Sequence, residues 1–139
     1  MRLVLDTNAA VSALLWRGTP GKLIDAAQSK TVFLFTSVPL LAELRGVLVR
    51  EKFAKQLEVR GLSAEEIFAG FAALATIVAP AIISTTIAQD FTDDVVLATA
   101  LAAQADAIVS GDAHLLNLKQ YQGMPILAPA EALARMPQS

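Results

Sequence analysis

The sequence predicts an α/β fold with three layers, in which a central parallel sheet lies between helices on both of its faces. The chain opens with a short strand-like run, a turn and a helix. Further apolar runs of strand length are separated by helical stretches, and no internal repeat, low-complexity tract or linker interrupts this alternation. Parallel strands joined by right-handed crossovers place their helices on both sides of the sheet.

Apolar runs and capping residues define the elements of the first half of the chain. Asp6-Thr7-Asn8 supplies cap residues between the first strand and the first helix, and Arg17–Gly21, with two glycines and a proline, ends that helix. The predicted elements are a strand over Arg2–Leu5, helices over Ala9–Trp16 and Lys22–Gln28, a strand over Val32–Phe35, a helix capped by Ser37 that runs through Pro39 to about Arg50, and an exposed helix over Glu51–Arg60.

The second half continues the same alternation. Gly61 ends the exposed helix, and Ser63-Ala64-Glu65-Glu66 is a capping box that opens an apolar helix through Leu74. The remaining predicted elements are strands over Ile77–Val78 and Ile82–Ile83, an alanine-rich helix from Asp93 to Gln104, strands over Ala107–Ser110 and Pro125–Leu127, and a short helix over Ala130–Met136.

Composition limits the chemistry that the chain can perform. With 139 residues, 55% of them hydrophobic, residues 1–139 are expected to form one domain with a substantial core. Cysteine is absent and His114 is the one histidine, which excludes disulfides, thiol nucleophiles and zinc sites built from cysteine and histidine. The net charge of −2 provides no general basic field, so a polyanion has to be bound locally or through metal ions.

Two segments bear on location. Asp6 follows the N-terminal apolar run too soon for a signal peptide, so we expect a cytoplasmic protein. Ile67–Gln89 has no charge and is long enough to span a bilayer, but Pro80 interrupts it and Ser84-Thr85-Thr86 makes its second half polar. A buried helix, a turn and a strand are therefore favoured over a membrane span. The surplus of apolar surface indicates an oligomer interface instead.

Five acidic residues are candidates for function, and two of them follow predicted strands. Functional groups of open parallel sheets collect at the carboxyl ends of the strands, where Asp6 and Asp112 stand. Taken alone, each of these residues is better explained as the cap of the helix that follows it.

Glu43 lies on an apolar stripe of its helix, because its neighbours three and four residues away are Leu40, Gly46 and Val47. Burying an unpaired charge is costly, so this carboxylate is expected to be protonated, paired with a cation or exposed at a cleft. Arg45 is only two residues away and does not share its helix face.

Asp93 and Asp94 open a helix, and capping explains one of them but not both. The helix positions three and four residues after each of these acids are apolar. We expect Asp93 to be the deeper acid. Carboxylates brought together raise one another's pKa unless a cation balances their charge. With oxygen ligands only, Mg²⁺ or Mn²⁺ is the expected ion, and such an ion can activate water to hydrolyse a phosphodiester.

Four motifs occur in a fixed order along nearly the whole chain. They are Leu5-Asp6-Thr7-Asn8, the helical Glu43, Asp93-Asp94-Val95-Val96-Leu97-Ala98-Thr99-Ala100, and Val109-Ser110-Gly111-Asp112 followed by His114-Leu115-Leu116. Each motif is weak alone, but the ordered set resembles the PIN-domain nucleases, in particular the VapC-type toxins of prokaryotes. This resemblance implies a three-layer α/β/α PIN-like fold over residues 1–139.

The same resemblance implies a Mg²⁺- or Mn²⁺-dependent endoribonuclease that is the toxin of a type II toxin–antitoxin pair and leaves 5′-phosphate and 3′-hydroxyl ends. It implies that Asp6, Asp112 and a third acid hold the metal, and that Glu43 binds metal or orients the attacking water. The third acid is Asp93 in one register of the motif match and Asp94 in another, and both assignments stay open.

Further implications concern hydroxyl groups and partners. Thr7 and Ser110 match hydroxyl positions that line the family's site, where they can orient water or phosphate. The resemblance also implies an RNA substrate, a small antitoxin that inserts a segment into the acidic cleft, and a homodimer.

The same residues bear on three alternative functions. A PIN-like RNA- or protein-binding regulator without catalysis is the main alternative, and the intact acid set speaks against it. A phosphotransfer receiver is disfavoured because no aspartate stands between Ser29 and Gln89, and a phosphatase of the haloacid dehalogenase type because Asn8 replaces its second aspartate.

A basic cluster forms either a phosphate-binding rim or a solvated helix face, and its members are Arg45, Arg50, Lys52, Lys55 and Arg60.

Overall fold

Apolar runs bounded by cap and turn residues form the strands and helices of this chain. A computed structural model describes residues 1–16, 18–83 and 91–137. The strands are β1 (Arg2–Leu5), β2 (Phe33–Thr36), β3 (Thr76–Ile77), β4 (Ala107–Val109), β5 (Gln120–Tyr121) and β6 (Met124–Leu127). The helices are α1 (Thr7–Leu15), α2 (Gly21–Gln28), α3 (Val38–Leu48), α4 (Ala54–Arg60), α5 (Ala64–Leu74), α6 (Phe91–Ala103), α7 (Ala113–Leu116) and α8 (Pro129–Ala134), with a 3₁₀ turn over Glu51–Phe53 before α4.

The strands form one sheet in the order β3-β2-β1-β4-β6-β5. β1 lies inside it, and Val4 pairs with Phe35 of β2 on one side and with Ile108 of β4 on the other. From β1 the chain first runs outward to β2 and β3 and then returns to β4 on the opposite side of β1. The carboxyl ends of β1 and β4 therefore form a topological switch point, which is the place where open α/β sheets bind their ligands.

Helices cover both faces of the sheet. Leu3 and Leu5 belong to one buried cluster, which includes residues of α1, α2, α3 and α5. Val4 and Ile108 belong to a second cluster, which includes residues of α6. Because successive strand residues are buried on opposite faces, the strands read as continuous apolar runs. The predicted α/β fold, with a central and mostly parallel sheet between helices, is confirmed.

One strand prediction was wrong, and one strand was not predicted. Ile82–Ile83 is not a strand: Pro80 has no N–H to donate, and the N–H of Ala81 donates to the carbonyl oxygen of Ala98 in α6 over 3.0 Å. The strand that was not predicted is β5, which pairs antiparallel with β6. Gln122 and Gly123 form the tight turn between these two strands, and both have positive φ.

The uncharged segment Ile67–Gln89 is divided in the structure. Its first part completes α5, which ends at Leu74, and β3 follows at Thr76–Ile77. Residues 84–89 lie outside the described residues. No helix in the described part of the chain combines the length and the hydropathy that a membrane span requires.

Candidate active site

Asp6 ends β1 and begins α1, and hydrogen bonds fix it from both elements. Its backbone N–H donates to the carbonyl oxygen of Val109 over 2.9 Å, which continues the parallel pairing beyond β1. Its Oδ1 accepts a hydrogen bond from the N–H of Ala9 over 2.7 Å, so the side chain caps α1. Only 5% of Asp6 is exposed. The interpretation of Asp6 as a helix cap is correct, and the cap places its carboxylate at the carboxyl edge of the sheet.

Ser110 follows β4 and contacts Asp6 directly. The register pairs Leu5 with Val109, so Asp6 and Ser110, the residues that follow these partners, lie side by side. The hydroxyl of Ser110 donates to Oδ2 of Asp6, and it accepts a hydrogen bond from the backbone N–H of Asp112 over 2.9 Å. Ser110 is completely buried. A single hydroxyl thus contacts both segments that carry the strand-end acids.

Asp112 is also a helix cap. Its Oδ1 accepts a hydrogen bond from the N–H of His114 over 2.9 Å, at the start of α7. The residue is half-buried, its neighbour Gly111 is exposed, and its charge acts on the carboxylate of Asp6. The structure therefore brings Asp6 and Asp112 together at the edge of the sheet while both cap helices.

The environment of Asp6 raises the pKa of its carboxyl group above the ordinary value of 3.8. Burial is the main cause, because it disfavours the charged form. The hydroxyl of Ser110 and the backbone N–H groups of Ala9 and Gly111 act in the opposite direction, while the charge of Asp112 raises the pKa further. A cation next to these two acids would offset both the loss of hydration and the repulsion.

Thr7, the first residue of α1, places a second hydroxyl in this region. The residue is 7% exposed, and its Oγ1 has no hydrogen-bond partner among the residues that the structure describes. A buried hydroxyl without a partner is unusual, because leaving it unsatisfied costs free energy. Such a group is suited to contact a ligand.

Asp93 and Asp94 lie in the first turn of α6, which begins at Phe91 rather than at Asp93 as predicted. Asp93 is 4% exposed and Asp94 is half-buried, so Asp93 is the deeper acid, as expected. Because α6 leads into β4, and β4 runs parallel to β1, the N-terminal turn of α6 lies toward the carboxyl edge of the sheet.

Glu43 lies in the second turn of α3 and is half-buried. It is about 7 Å along the helix axis from Val38, at 1.5 Å per residue. Across the described ranges, no group of three or more aspartate, glutamate or histidine side chains is arranged to hold a metal ion. The structure therefore does not show Glu43, Asp93 or Asp94 forming a metal-binding group together with Asp6 and Asp112.

The residues at the sheet edge nevertheless fit a hard divalent cation. Asp6, Asp112 and Thr7 offer only oxygen atoms, which are the ligands that Mg²⁺ and Mn²⁺ prefer. Mg²⁺ keeps several of its waters and is usually bound by one or two carboxylates together with substrate phosphates. Two adjacent carboxylates, with a hydroxyl on the residue after Asp6 that has no described partner, meet this requirement.

A buried pair of hydroxyls near the site was not found from the sequence. Ser37 occupies the N-cap position of α3, but its side chain makes no capping hydrogen bond. Its Oγ lies 2.8 Å from Oγ1 of Thr99 in α6, and Thr99 donates to the carbonyl oxygen of Val95 over 2.7 Å. Ser37 is therefore the donor of the pair, and the bond joins the end of β2 to the helix that carries Asp93 and Asp94.

Four of the five residues of the basic cluster come after α3, the helix that carries Glu43. α3 starts at the carboxyl edge, and its 11 residues carry the chain roughly 16 Å from that edge. Arg50, Lys52 and Lys55 come after this helix. Arg45, within α3, pairs with Glu65 over 2.7 Å, and both side chains are more than half exposed. These positions favour the solvated-face interpretation of the cluster over a phosphate-binding rim next to Asp6.

Comparisons with known proteins agree with this architecture. A model of the PIN domain family matches residues 2–114, which include β1, β4 and all five candidate acids. No curated protein matches the chain significantly.

Among solved structures, the chain is similar to one chain in the crystal structure of VapBC2 from Rickettsia felis bound to a DNA fragment from their promoter. The TM-score is 0.59 and the identity 17%, and the match covers 91% of this chain and 97% of that chain. This similarity shows the fold. With a family match that spans most of its length, the chain belongs to the PIN-domain family.

Proposed function

We propose that this protein is a metal-dependent endoribonuclease and the toxin of a type II toxin–antitoxin pair. The observation that carries the proposal is the proximity of Asp6 and Asp112 at the switch point of the sheet. PIN domains are generally nucleases that use divalent metals, and the edge of this sheet offers two carboxylates and a hydroxyl to such a metal. The proposal treats residues 1–139 as a single PIN-like domain in the cytoplasm.

In this proposal Asp6 and Asp112 hold a Mg²⁺ or Mn²⁺ ion, directly or through water. When bound, the ion supplies a nucleophilic water at neutral pH and stabilises negative charge on the phosphate. Asp93 or Asp94 completes the acid set from α6, and Glu43 orients the attacking water or binds the ion through water. Thr7 contributes its hydroxyl to water or to a phosphate oxygen. Hydrolysis leaves a 5′-phosphate and a 3′-hydroxyl.

The partners follow from the resemblance and from the structural neighbour. That neighbour is named VapBC2, a name from the same toxin–antitoxin class, and this supports a small antitoxin as a partner of the present chain. A homodimer is part of the proposal as well. Val38 and Val49, at the two ends of α3, are exposed and offer such partners apolar surface.

The test is a cleavage assay on single-stranded RNA labelled at its 5′ end, with Mg²⁺, with Mn²⁺ and with EDTA. The proposal expects metal-dependent products that carry 5′-phosphates. Asp6→Asn and Asp112→Asn should each lower kcat/KM by at least roughly 100-fold, since outer-shell partners of a metal already contribute 10- to 100-fold. The matched control is Asp25→Asn, an exposed aspartate on α2, which should retain full activity.

Two outcomes would contradict the proposal. A protein without catalysis, acting only as a binding regulator, would retain RNA without any metal-dependent product from the wild type. Equal cleavage of single-stranded DNA of the same sequence would remove the assignment to RNA. Loss of activity in Asp25→Asn as well as in Asp6→Asn would mean that the assay reports folding rather than the site.

A further inference from the structure

We infer that Ser110 is a positioning residue that sets the distance between Asp6 and Asp112, rather than a group that contacts water or phosphate. This inference rests on the proposed function, because its purpose is the placement of two metal-binding carboxylates. It differs from the expectation drawn from the resemblance, in which Ser110 orients water or phosphate. The evidence is the hydrogen bonding of a single buried hydroxyl.

A serine hydroxyl has one proton to donate, and in Ser110 that proton is already used. The hydroxyl donates to Oδ2 of Asp6. Its oxygen in turn accepts the hydrogen bond from the backbone N–H of Asp112 over 2.9 Å. Ser110 has no exposed surface, so bulk water does not compete for either bond. The hydroxyl therefore has no proton left for a substrate phosphate or an attacking water.

These bonds hold the carboxylate of Asp6 at both of its oxygens. The N–H of Ala9 binds Oδ1 from α1, and Ser110 binds Oδ2 from the end of β4. The segment that carries Asp112 is bound through its own N–H to the same hydroxyl. A displacement of either acid relative to the other breaks a hydrogen bond of Ser110, so this residue links the two acids mechanically.

Thr7 provides the contrast within the same site. Its Oγ1 is buried and has no hydrogen-bond partner among the described residues, so its proton is available. The two hydroxyls therefore have different tasks: Ser110 positions the acids, and Thr7 is the one that can serve a ligand. The distinction comes from the hydrogen bonds alone and does not depend on where a metal sits.

The experiment compares Ser110→Ala, Ser110→Cys and Ser110→Thr by two measurements. The first is amide hydrogen exchange by NMR on the metal-free protein. The second is the Kd for Mn²⁺ by titration calorimetry. Cysteine has the shape of serine with a somewhat larger sulfur atom and is only a weak donor and acceptor, so it weakens both bonds without leaving a cavity, whereas threonine keeps the hydroxyl. The matched control is Ser29→Ala, which removes a hydrogen-bonded hydroxyl at the exposed C-terminal end of α2.

The expected result is faster exchange at the amides of Asp112 and Ala9 in Ser110→Ala and Ser110→Cys. In these variants the Kd for Mn²⁺ should rise roughly 10- to 100-fold, as is typical for residues that orient metal ligands. Ser110→Thr should restore both properties toward the wild type. Ser29→Ala should leave the exchange of the Asp112 amide and the Kd for Mn²⁺ unchanged.

Failure of this inference can be told apart from failure of the proposed function. If the wild type binds Mn²⁺ and cleaves RNA, but folded Ser110→Cys keeps the Kd and the exchange rates of the wild type, the inference is wrong and the proposed function stands. If the wild type itself binds no Mn²⁺, both are overturned. Should Ser110→Ala fail to fold, the comparison of the cysteine and threonine variants gives the same decision.

Discussion

Leu5 and Val109 are partners in two adjacent parallel strands, and their pairing decides which side chains meet at the edge of the sheet. The residues that follow them, Asp6 and Ser110, share a hydrogen bond although the whole of α1 to α6 lies between them. Strands place these groups more rigidly than loops would. The site therefore depends on the stability of the sheet at β1 and β4.

The first prediction concerns pH. The carboxyl of Asp6 has a folded-state pKa above its ordinary value of 3.8, so the folded protein binds this proton more tightly than the unfolded chain does. In the presence of EDTA, Asp6 therefore contributes most to stability below pH 3.8, and that contribution is lost as the pH rises through its folded pKa. As the pH rises from 3.8 through that folded pKa, the free energy of unfolding of the wild type should therefore fall relative to that of Asp6→Asn.

Urea denaturation of both proteins at a series of pH values measures the difference directly. Subtraction of the two curves isolates the contribution of position 6 from that of carboxyl groups that do not interact with it. This loss of stability with rising pH is the reverse of the behaviour of an aspartate whose pKa is lowered by a salt bridge. Parallel curves for the wild type and Asp6→Asn would contradict the raised pKa.

The second prediction concerns metal-linked stability at neutral pH. A ligand that binds only the folded state adds RT ln(1 + [L]/Kd) to the free energy of unfolding, which is about 2.7 kcal/mol at 100 times the Kd. Mn²⁺ should stabilise the wild type by this amount and Asp112→Asn by much less. The measurement is thermal unfolding with Mn²⁺ or with EDTA, and equal stabilisation of Asp25→Asn is the control. An equal rise in Tm for Asp112→Asn would place the ion elsewhere.

Features that depend on nearby residues could be predicted from the sequence. Asp6 and Asp112 were found because a cap residue directly after an apolar run marks a strand end, and both signals lie within a few positions. The capping box at Ser63 and Glu66 was predicted for the same reason and is present. Because the sheet is parallel, these local signals also predicted the edge at which the two acids meet.

Features that depend on distant residues could not be predicted in this way. Ser37 was interpreted as a cap, whereas its hydroxyl bonds to Thr99, a partner 62 positions away that leaves no periodic pattern. β5 is only two residues long, too short to show an alternation. Whether the basic cluster forms a phosphate-binding rim or a solvated face could not be predicted from the sequence, because its distance from Asp6 depends on the direction of α3 across the sheet.

The third prediction concerns the pair of Ser37 and Thr99. Each hydroxyl is fully buried, so removing one leaves the other without its partner. Ser37→Ala and Thr99→Val should each lower the free energy of unfolding by about 1 to 3 kcal/mol. The double variant should lose less than the sum, with a coupling of about 0.5 kcal/mol or more. Urea denaturation of the four proteins measures the cycle, and strict additivity would show that the hydroxyls do not interact.

The fourth prediction uses two glycines with opposite expected effects. Gly123 has a φ of 81° in the turn between β5 and β6, where an L side chain is strained whatever space surrounds it. Gly123→Ala should lower the free energy of unfolding by about 1 kcal/mol. Gly70 lies within α5, and a Cβ there meets nothing within 4 Å, so Gly70→Ala should raise the free energy of unfolding by about 0.5 to 1 kcal/mol.

Both glycine variants can be followed by the fluorescence of Trp16, the one tryptophan of the chain, which packs edge-on against Phe53 with ring centroids 5.9 Å apart. Neither glycine is near Asp6 in the sheet, so RNA cleavage well below the melting temperature should be unchanged in both. A stabilising Gly123→Ala would mean that the turn does not have a positive φ at this position, and the antiparallel pairing of β5 with β6 would then need another connection. A destabilising Gly70→Ala would indicate that the exposed side of α5 is covered in solution, as the proposed dimer or antitoxin complex would do.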